Sequence, residues 1–298
     1  MRIGITGAAG QIGRLLVEAL EGDHELVLMD SSEPQHATIF DPDAPGGRRS
    51  VPFVTNWPYH VVDISRQETL DTLLDGLDVV VHLAAVPTGR WVDAETIMRV
   101  NVTGTFNLFR SAQRSGVRRV VAASSINAFG SMGWRVRDNH PIRTHLPLEE
   151  DDPRVPEDPY SLSKGMGEDI AATFERAFGM ETVNLRFAEV WPEEKYDSAL
   201  RDGLPATTAW ADDLFQWVHI RDVVAGLVAA VTSPSVIGLP IVLAAGDTRA
   251  PEPSLDLVER FAPQLLTRLR EPIPGRAPLL SIRRARTVLG FQPAYRLD

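Results

Sequence analysis

The amino-acid sequence predicts an α/β fold built on a doubly wound parallel sheet. In the first half of the 298 residues, short apolar runs alternate with longer segments of mixed polarity, as in successive β-α units. One run, Asp78–Leu83, is apolar enough for a strand buried on both faces, which is typical of a parallel sheet. A glycine-rich turn, Thr6–Gly13, joins the first predicted strand to the first predicted helix.

Apolar runs and apolar residues at helical spacing define the individual elements. The predicted strands are Arg2–Thr6, Glu25–Asp30, His60–Val62, Asp78–Leu83, Arg118–Ser124, Glu181–Phe187 and Pro240–Ala244. The predicted helices are Gln11–Glu21, Leu70–Leu77, Ala94–Ser115, Tyr160–Phe178 and Ile220–Thr232, with helical patches around Leu255–Leu269 and Ser281–Leu289. Two polar stretches, Ser31–Pro58 and Met132–Asp158, are predicted as irregular connections.

Composition excludes several classes of function. The chain is 44% hydrophobic and carries a formal net charge of −10, which argues against binding to nucleic acid or to an anionic membrane surface. It has no cysteine, so disulfides and thiolate catalysis are excluded, and the histidines show no metal-like spacing. No run approaches the ~20 apolar residues of a membrane span. A strand-like run starts at Met1, so we expect no signal peptide and a cytoplasmic location.

The glycine-rich turn reads TGAAGQIG, with glycines at positions 7, 10 and 13. Glycine allows a sharp turn and a close approach of backbone N–H groups to a phosphate. The helix that follows begins near Gln11 and Ile12, and its positive N-terminal end faces the same point. The turn therefore predicts a pyrophosphate site for a dinucleotide, formed by Gly7, Gly10, Gln11, Ile12 and Gly13, and a Rossmann-type sheet.

Asp30 ends the second predicted strand, seventeen positions after Gly13. An acidic residue at about this spacing accepts hydrogen bonds from the adenosine ribose of a dinucleotide. Its charge repels a 2′-phosphate and no arginine follows it directly, so the sequence favours NAD over NADP. Asp63 and Ile64, after the third predicted strand, are candidates for contact with the adenine.

Tyr160 and Lys164 are four residues apart at the start of a predicted helix, which places them on one face. A phenol with a pKa near ~10 is a poor base at neutral pH. A nearby ammonium group and the positive charge of an oxidised nicotinamide both stabilise the phenolate. The pair therefore indicates general acid–base chemistry, in which tyrosine takes a proton from a hydroxyl while hydride leaves its carbon.

The chain resembles an extended short-chain dehydrogenase/reductase of the NAD-dependent epimerase/dehydratase family, from Thr6 to about Asp222. The matching segments besides those above are HLAA at 82–85, NVTGT at 101–105, AASSINAFG at 122–130, LRF at 185–187 and WVHIRDV at 217–223. The resemblance implies that Ser125 completes the catalytic set and holds the substrate oxygen, and that Lys164 also binds the nicotinamide ribose. It further implies a homodimer formed through two helices, and cofactor-site roles for Leu83, Ala84, Ala85 and Asn101.

The last third departs from the members that act on nucleotide-linked sugars. Glu189 stands where those members carry Asn, and Phe215-Gln216 stands where they place an Arg that grips the diphosphate. Arg276 is a candidate for the late Arg that some of them use. The short interval between Arg186 and Trp217 resembles instead the uronate-dehydrogenase branch. The residues assigned to the substrate on this reading are Ser125, Asn127, Glu189 and two arginines that would meet a carboxylate, Arg90 and Arg186.

The resulting division is a NAD-binding Rossmann domain at 1–186, to which 217–245 returns, and a small C-terminal substrate-binding annex from 187–216 and 246–298. Three functions stay open. The first is a NAD-dependent dehydrogenase that acts on a sugar, a sugar acid or a similar substrate with a hydroxyl or carbonyl group. The second is a nucleotide-sugar epimerase or dehydratase that retains its NAD. The third, a non-catalytic NAD sensor, is disfavoured because Ser125, Tyr160 and Lys164 are all present.

Overall fold

The computed structural model describes residues 1–41, 43–87, 91–130, 145–234 and 238–298. Its strands are β1 (Arg2–Thr6), β2 (Glu25–Asp30), β3 (Thr38–Phe40), β4 (Arg48–Ser50), β5 (Tyr59–Val61), β6 (Val79–His82), β7 (Arg119–Ser125), β8 (Glu181–Phe187), β9 (Glu189–Trp191), β10 (Trp217–His219) and β11 (Pro240–Leu243). Its α-helices are α1 (Gln11–Leu20), α2 (Ala94–Ile97), α3 (Thr105–Arg114), α4 (Pro159–Phe178), α5 (Glu193–Asp202), α6 (Ile220–Thr232), α7 (Ser254–Phe261) and α8 (Arg283–Leu289).

Within the described residues, seven strands form one parallel sheet in the order β11-β8-β7-β6-β1-β2-β5. The strand order reverses at β1, which lies between β2 and β6. In open α/β sheets, ligands bind beyond the carboxyl ends of the strands at such a reversal. The predicted doubly wound parallel sheet is confirmed, and its topology places the glycine-rich turn at the ligand-binding edge.

Helices cover both faces of the sheet. On one face, α1 and α6 pack together over apolar side chains of β1, β8 and β11. On the other face, α3 and α4 cover Val80 of β6 and Val120 of β7 with Phe109 and Phe174. Strands buried on both faces need apolar side chains at every position, which explains the continuous valine run of β6.

The predicted helix at Leu70–Leu77 is wrong. A short 3-10 turn, Gln67–Thr69, is followed by successive turns with i to i−3 hydrogen bonds, such as Leu73 N to Leu70 O at 3.1 Å. Gly76 has φ +73°, which a helix interior does not accept. Leu70, Leu74 and Leu77 are still buried, so the apolar spacing reflected burial and not a helix.

The predicted helix at Ala94–Ser115 is interrupted by a π-helical segment, Met98–Gly104, between α2 and α3. The predicted irregular stretch Ser31–Pro58 contains the antiparallel pair β3 and β4. Sequence reasoning missed α5 and the parallel pair of β9 with β10. None of the helices described is long and apolar enough to span a membrane.

Candidate active site

The glycine-rich turn leads directly from β1 into α1. Gly7 has φ +72°, and a Cβ there would lie 2.7 Å from the backbone nitrogen of Ala84. A Cβ at Gly13 would lie 2.3 Å from the carbonyl oxygen of Gly7. The first helical hydrogen bond is from Arg14 N to Gly10 O at 3.0 Å, so the amides of the first helical turn, at 11–13, have no partner within the helix and point towards a ligand at its end. This backbone geometry fits a pyrophosphate.

Asp30 lies at the end of β2, beside the glycine-rich turn. Its Oδ2 accepts a hydrogen bond from Ala9 N at 3.0 Å, and its Oδ1 accepts one from Ser31 N at 2.7 Å. The nearby Arg14 donates to the carbonyl oxygens of Ala9 and Pro52 at 2.6 and 2.8 Å. Backbone carbonyls hold that guanidinium, while the Asp30 carboxylate lies at the end of β2, where the ribose of a dinucleotide binds. This arrangement fits the ribose of NAD better than a 2′-phosphate.

Asp63 and Ile64 follow β5, on the same side of β1 as Asp30. The Asp63 carboxylate is about half exposed and accepts hydrogen bonds from the backbone and side chain of Ser65. Ile64 is buried, and a Cβ at Gly104 would lie 2.7 Å from its side chain, so that glycine permits the contact. Only Asp63 of the two therefore offers an accessible polar group.

The residues after β6 form the floor of the cleft. Leu83 N donates to Thr6 O at 3.1 Å, and Ala84 N lies 3.3 Å from Thr6 Oγ1. The side chain of His82 is bonded to Thr6 Oγ1 at 2.8 Å and to Thr105 Oγ1 at 3.1 Å. Burial, together with the charge of Lys164, lowers the pKa of His82 to about 3. His82 is therefore neutral and holds β6 against β1 and α3.

Asn101 lies in the π-helical segment and is 4% exposed. Its Oδ1 accepts a hydrogen bond from Val86 N at 2.7 Å, and its Nδ2 donates to Val86 O and Ser163 Oγ, both at 3.1 Å. The extra residue of a π-turn is often found at functional sites. Here Asn101 connects the chain that leaves β6 to the helix that carries Tyr160 and Lys164.

The structure brings Ser125, Tyr160 and Lys164 together at the carboxyl end of β7. Asp158 caps α4 by accepting a hydrogen bond from Ser161 N at 2.8 Å, which places Tyr160 in the first turn. The Tyr160 hydroxyl is hydrogen-bonded to Ser125. Lys164 donates to Ala123 O at 3.1 Å, and its Nζ lies 5.7 Å from the centre of the Tyr160 ring.

Burial raises the pKa of Tyr160 to about 12, the bond with Ser125 opposes this rise, and Asp158 adds to it. Burial lowers the pKa of Lys164 to about 8, while the charge of Glu168 raises it. The phenol is thus protonated near neutral pH and the ammonium is close to its titration range. Such a pair responds strongly to any charge that a bound cofactor adds.

The residues predicted to contact substrate do not all lie at the site. Asn127 follows Ser125, and its backbone N–H donates to Ser125 Oγ at 3.1 Å. Glu189 is 39% exposed just beyond β8, near the register position where Phe187 pairs with Ser125. Arg90 lies outside the described residues. Arg276 donates to two backbone carbonyl oxygens, those of Leu297 and Thr248.

The substrate role expected for Arg186 is corrected. Arg186 is 2% exposed, and its Nε and Nη2 each donate to Glu168 at 2.8 Å. Its Nη1 donates to Glu150 O at 3.0 Å, and the guanidinium lies 4.2 Å from the centre of the Phe129 ring. With its donors engaged inside the protein, this arginine is a buried structural group and cannot grip a substrate carboxylate.

Sequence reasoning missed three charged residues beside the site. Lys195 contacts Glu189 Oε1 at 2.5 Å, and Arg249 approaches Glu189 Oε2 at 3.4 Å. Burial raises the pKa of Glu189, but Lys195 and Arg249 outweigh it and hold that pKa below its ordinary value. The third residue, Glu168, lies one helical turn after Lys164. The sequence could have singled out Lys195, because it and Lys164 are the two lysines of the chain.

A comparison with known proteins gives relatives among sugar enzymes. The chain is 32% identical over 193 residues to the uronate dehydrogenase of Pseudomonas syringae pv. tomato, and the aligned region covers 64% of this chain and 60% of that protein. It is 29% identical over 189 residues to the L-arabinose 1-dehydrogenase (NAD(P)(+)) of Haloferax volcanii, which covers 62% and 65%. The matches thus span less than two thirds of the length of these relatives.

Solved structures and a family model agree with these relatives. A UDP-galactose 4-epimerase has the same fold, with a TM-score of 0.67 and 26% identity over 99% of this chain and 94% of its own. The model of the NAD dependent epimerase/dehydratase family matches residues 3–246. This match confirms the predicted resemblance. It also confirms the prediction of NAD as cofactor, which the glycine-rich turn and Asp30 fit. The chain therefore belongs to the NAD dependent epimerase/dehydratase family.

Proposed function

We propose that this protein is a NAD-dependent dehydrogenase that oxidises a hydroxyl group of a free sugar or sugar acid and releases NADH at each turnover. The observation that carries the redox chemistry is the contact of Tyr160 with Ser125, next to Lys164, at the ligand-binding edge of the sheet. When bound there, NAD supplies the hydride acceptor. The uronate and arabinose dehydrogenases among the relatives support the substrate class.

Each of the three residues has a defined task. Ser125 holds the substrate hydroxyl through its Oγ, which the backbone N–H of Asn127 orients. In its phenolate form, Tyr160 receives the hydroxyl proton as the substrate carbon loses its hydride, so the substrate leaves as the carbonyl compound. Lys164 favours the phenolate form of Tyr160 by its charge and keeps its own position through Ala123 O.

The segment before β10 favours a free sugar over a nucleotide sugar. Phe215 is 5% exposed and packs edge-on against Trp210, with ring centres 5.5 Å apart. The adjacent Gln216 is fully buried, and its Nε2 donates to Leu214 O at 2.9 Å. Position 215 therefore offers an apolar contact and no cation of its own for a diphosphate. The guanidinium beside it, that of Arg249, is bonded to Gln216 O at 3.1 Å and to Asp213 Oδ1 at 2.9 Å.

The experiment is a panel of free sugars, uronates and nucleotide sugars incubated with the purified protein and NAD. We expect NADH to accumulate with a free sugar or a uronate. Isomerisation of a nucleotide sugar without net NADH would overturn the proposal in favour of an epimerase. A parallel panel with NADP tests the cofactor preference, and equal rates would contradict the role given to Asp30.

The division of the chain and its location remain proposals of the same kind. We propose that 187–216 and 246–298 bind the substrate, since they contribute Glu189, Lys195 and Arg249 next to the carboxyl end of β8. The cytoplasmic location stays a prediction from the sequence.

We also propose a homodimer in which α3 and α4 of two copies pack together. Three apolar side chains on these helices, Phe106, Leu162 and Phe178, are 45%, 43% and 57% exposed. Phe106 and Phe178 both contact Phe174, so they form one patch, and exposed apolar patches mark interfaces. Light scattering should give a dimer mass that Phe178→Glu reduces to a monomer, whereas Leu200→Glu on α5 leaves it unchanged. A monomeric wild type would refute the dimer.

A further inference from the structure

A buried ion pair lies next to Lys164 and has no task in the chemistry proposed above. Glu168 follows Lys164 by one turn on α4 and is 6% exposed. Its two carboxylate oxygens accept hydrogen bonds from Arg186, and Ser124 Oγ donates to Oε1 at 2.6 Å. The carboxylate thus reaches the strand end that carries Ser125.

Glu168 and Lys164 face the same small space. A cavity of about 20 Å³ between α4 and the sheet is lined by both side chains and by Ser124. Lys164 is bonded to Ala123 O and Glu168 to Ser124 Oγ, so two consecutive residues of β7 are held by one face of α4. These two bonds hold the part of β7 that directly precedes Ser125.

Among the described residues that line this space, the ionisable groups are Glu168, Lys164 and His82. His82, from β6, is neutral because its pKa is lowered to about 3. Arg186, from β8, and Arg154, before α4, approach the Glu168 carboxylate at 2.8 and 3.6 Å. Asp158 acts on Tyr160 at the beginning of α4. Among the described residues that line the cavity, the anion is Glu168.

We propose that Glu168 is a positioning residue for proton transfer: its carboxylate balances the charge of Lys164 and, through Ser124, fixes the strand end that presents Ser125. The inference rests on the proposed dehydrogenase function. Glu168 does not touch the reacting atoms. It acts through Lys164, whose ammonium must be charged to stabilise the Tyr160 phenolate.

The expected consequence is a change in the titration of Lys164. Burial lowers the pKa of this ammonium to about 8, and Glu168 opposes that fall. Removing the negative charge of Glu168 leaves burial unopposed. The Lys164 pKa should then fall by about one unit or more, as expected for unit charges one helical turn apart inside a protein.

The test follows Lys164 directly by NMR of protein labelled with ¹³Cε-lysine. The chain contains two lysines, so Lys195→Arg assigns the Lys164 signal and leaves one resonance. We expect Glu168→Gln to lower the Lys164 titration midpoint by about one pH unit or more. The matched control is Ser124→Ala, which removes the hydrogen bond and keeps the charge. Ser124→Ala should leave the Lys164 midpoint nearly unchanged. Glu168→Asp, which keeps the negative charge, should give a midpoint close to that of the wild type.

A second variant guards against loss of folding, since Glu168→Gln leaves Arg186 buried without its anion. Glu168→Gln combined with Arg186→Met removes both charges, and such a replacement is often tolerated. Glu168 lines the cavity with Lys164 and Arg186 does not, so the loss of the Glu168 attraction should outweigh the loss of the Arg186 repulsion. The Lys164 midpoint of the double variant should therefore fall, by less than in Glu168→Gln. An unchanged midpoint in the folded double variant would overturn the proposal.

The pH dependence of turnover gives a second measurement, which would not change if the role of Glu168 were purely structural. With the sugar substrate, the alkaline limb of the kcat/KM profile should move to lower pH in Glu168→Gln by the same amount as the Lys164 midpoint. An unmoved limb would contradict the proposal. The NMR titration needs no substrate, so a wild type that produces no NADH would refute the proposed function while the role of Glu168 is still measured.

Discussion

Replacing Arg186 by methionine tests whether this arginine is a structural group or a substrate ligand. The side chain is 2% exposed and forms two hydrogen bonds of 2.8 Å with Glu168. Methionine keeps much of the apolar volume over the Phe129 ring but leaves the Glu168 carboxylate buried without its main partner. Breaking a buried ion pair in this way costs about 3–5 kcal/mol of the free energy of unfolding.

That loss is a large part of the stability of an ordinary domain, which is about 5–15 kcal/mol. The assay is urea unfolding followed by circular dichroism, without NAD or substrate. A matched control is Arg118→Met, because Arg118 is 49% exposed and its partner Glu181 keeps a second bond to Arg119. We expect the control to lose no more than about 1 kcal/mol. A stable Arg186→Met protein with a raised KM would refute the reasoning and restore the substrate role.

Three other outcomes are expected. Asp30→Ala should weaken NAD binding by about 10-fold or more in calorimetry, since charge-assisted hydrogen bonds are lost. The ratio of the NADP Kd to the NAD Kd should fall as well, and an unchanged ratio would contradict the role of Asp30. Tyr160→Phe should lower kcat by about 10²–10⁴-fold with a nearly unchanged Kd for NAD. Because His82 is neutral when folded and has a pKa near 6.5 when unfolded, wild-type stability should fall as pH drops from about 6.5 towards 3. In this pH range, the free energy of unfolding of His82→Gln should depend on pH less steeply than that of the wild type, by about 1.4 kcal/mol per pH unit. Equal slopes in the two proteins would refute a neutral, buried His82.

Local patterns were sufficient for the sheet and for the cofactor end of the site. β1, β2, β6 and β8 lie within one residue of their predicted bounds. In β2 and β6 the signal is the continuous apolar run that a strand buried on both faces requires. The turn with Gly7 and Gly13 is likewise local, since backbone contacts closer than a Cβ permits demand glycine at those positions. Where a few consecutive residues determine the geometry, the sequence was informative.

The substrate end depends on residues far apart in the chain, and prediction was weaker there. Arg186 lies near the end of β8 in a family motif, and nothing in its sequence neighbours indicates that Glu168 and Glu150 occupy its donors. Glu189 meets Arg249 across 60 positions of sequence. Leu214 and Phe215 have φ of +59° and +58°, a conformation rare for such side chains, which apolar periodicity does not encode.

In the proposed reaction, the substrate hydride leaves the protein as NADH and the hydroxyl proton passes to Tyr160. The most direct measurement incubates the wild type with NAD and a hexuronate deuterated at C1, and counts NADH against substrate consumed. We expect one molecule of deuterated NADH for each substrate molecule consumed, and none from Tyr160→Phe. Substrate isomerised with no net NADH, or NADH formed equally fast by Tyr160→Phe, would contradict it.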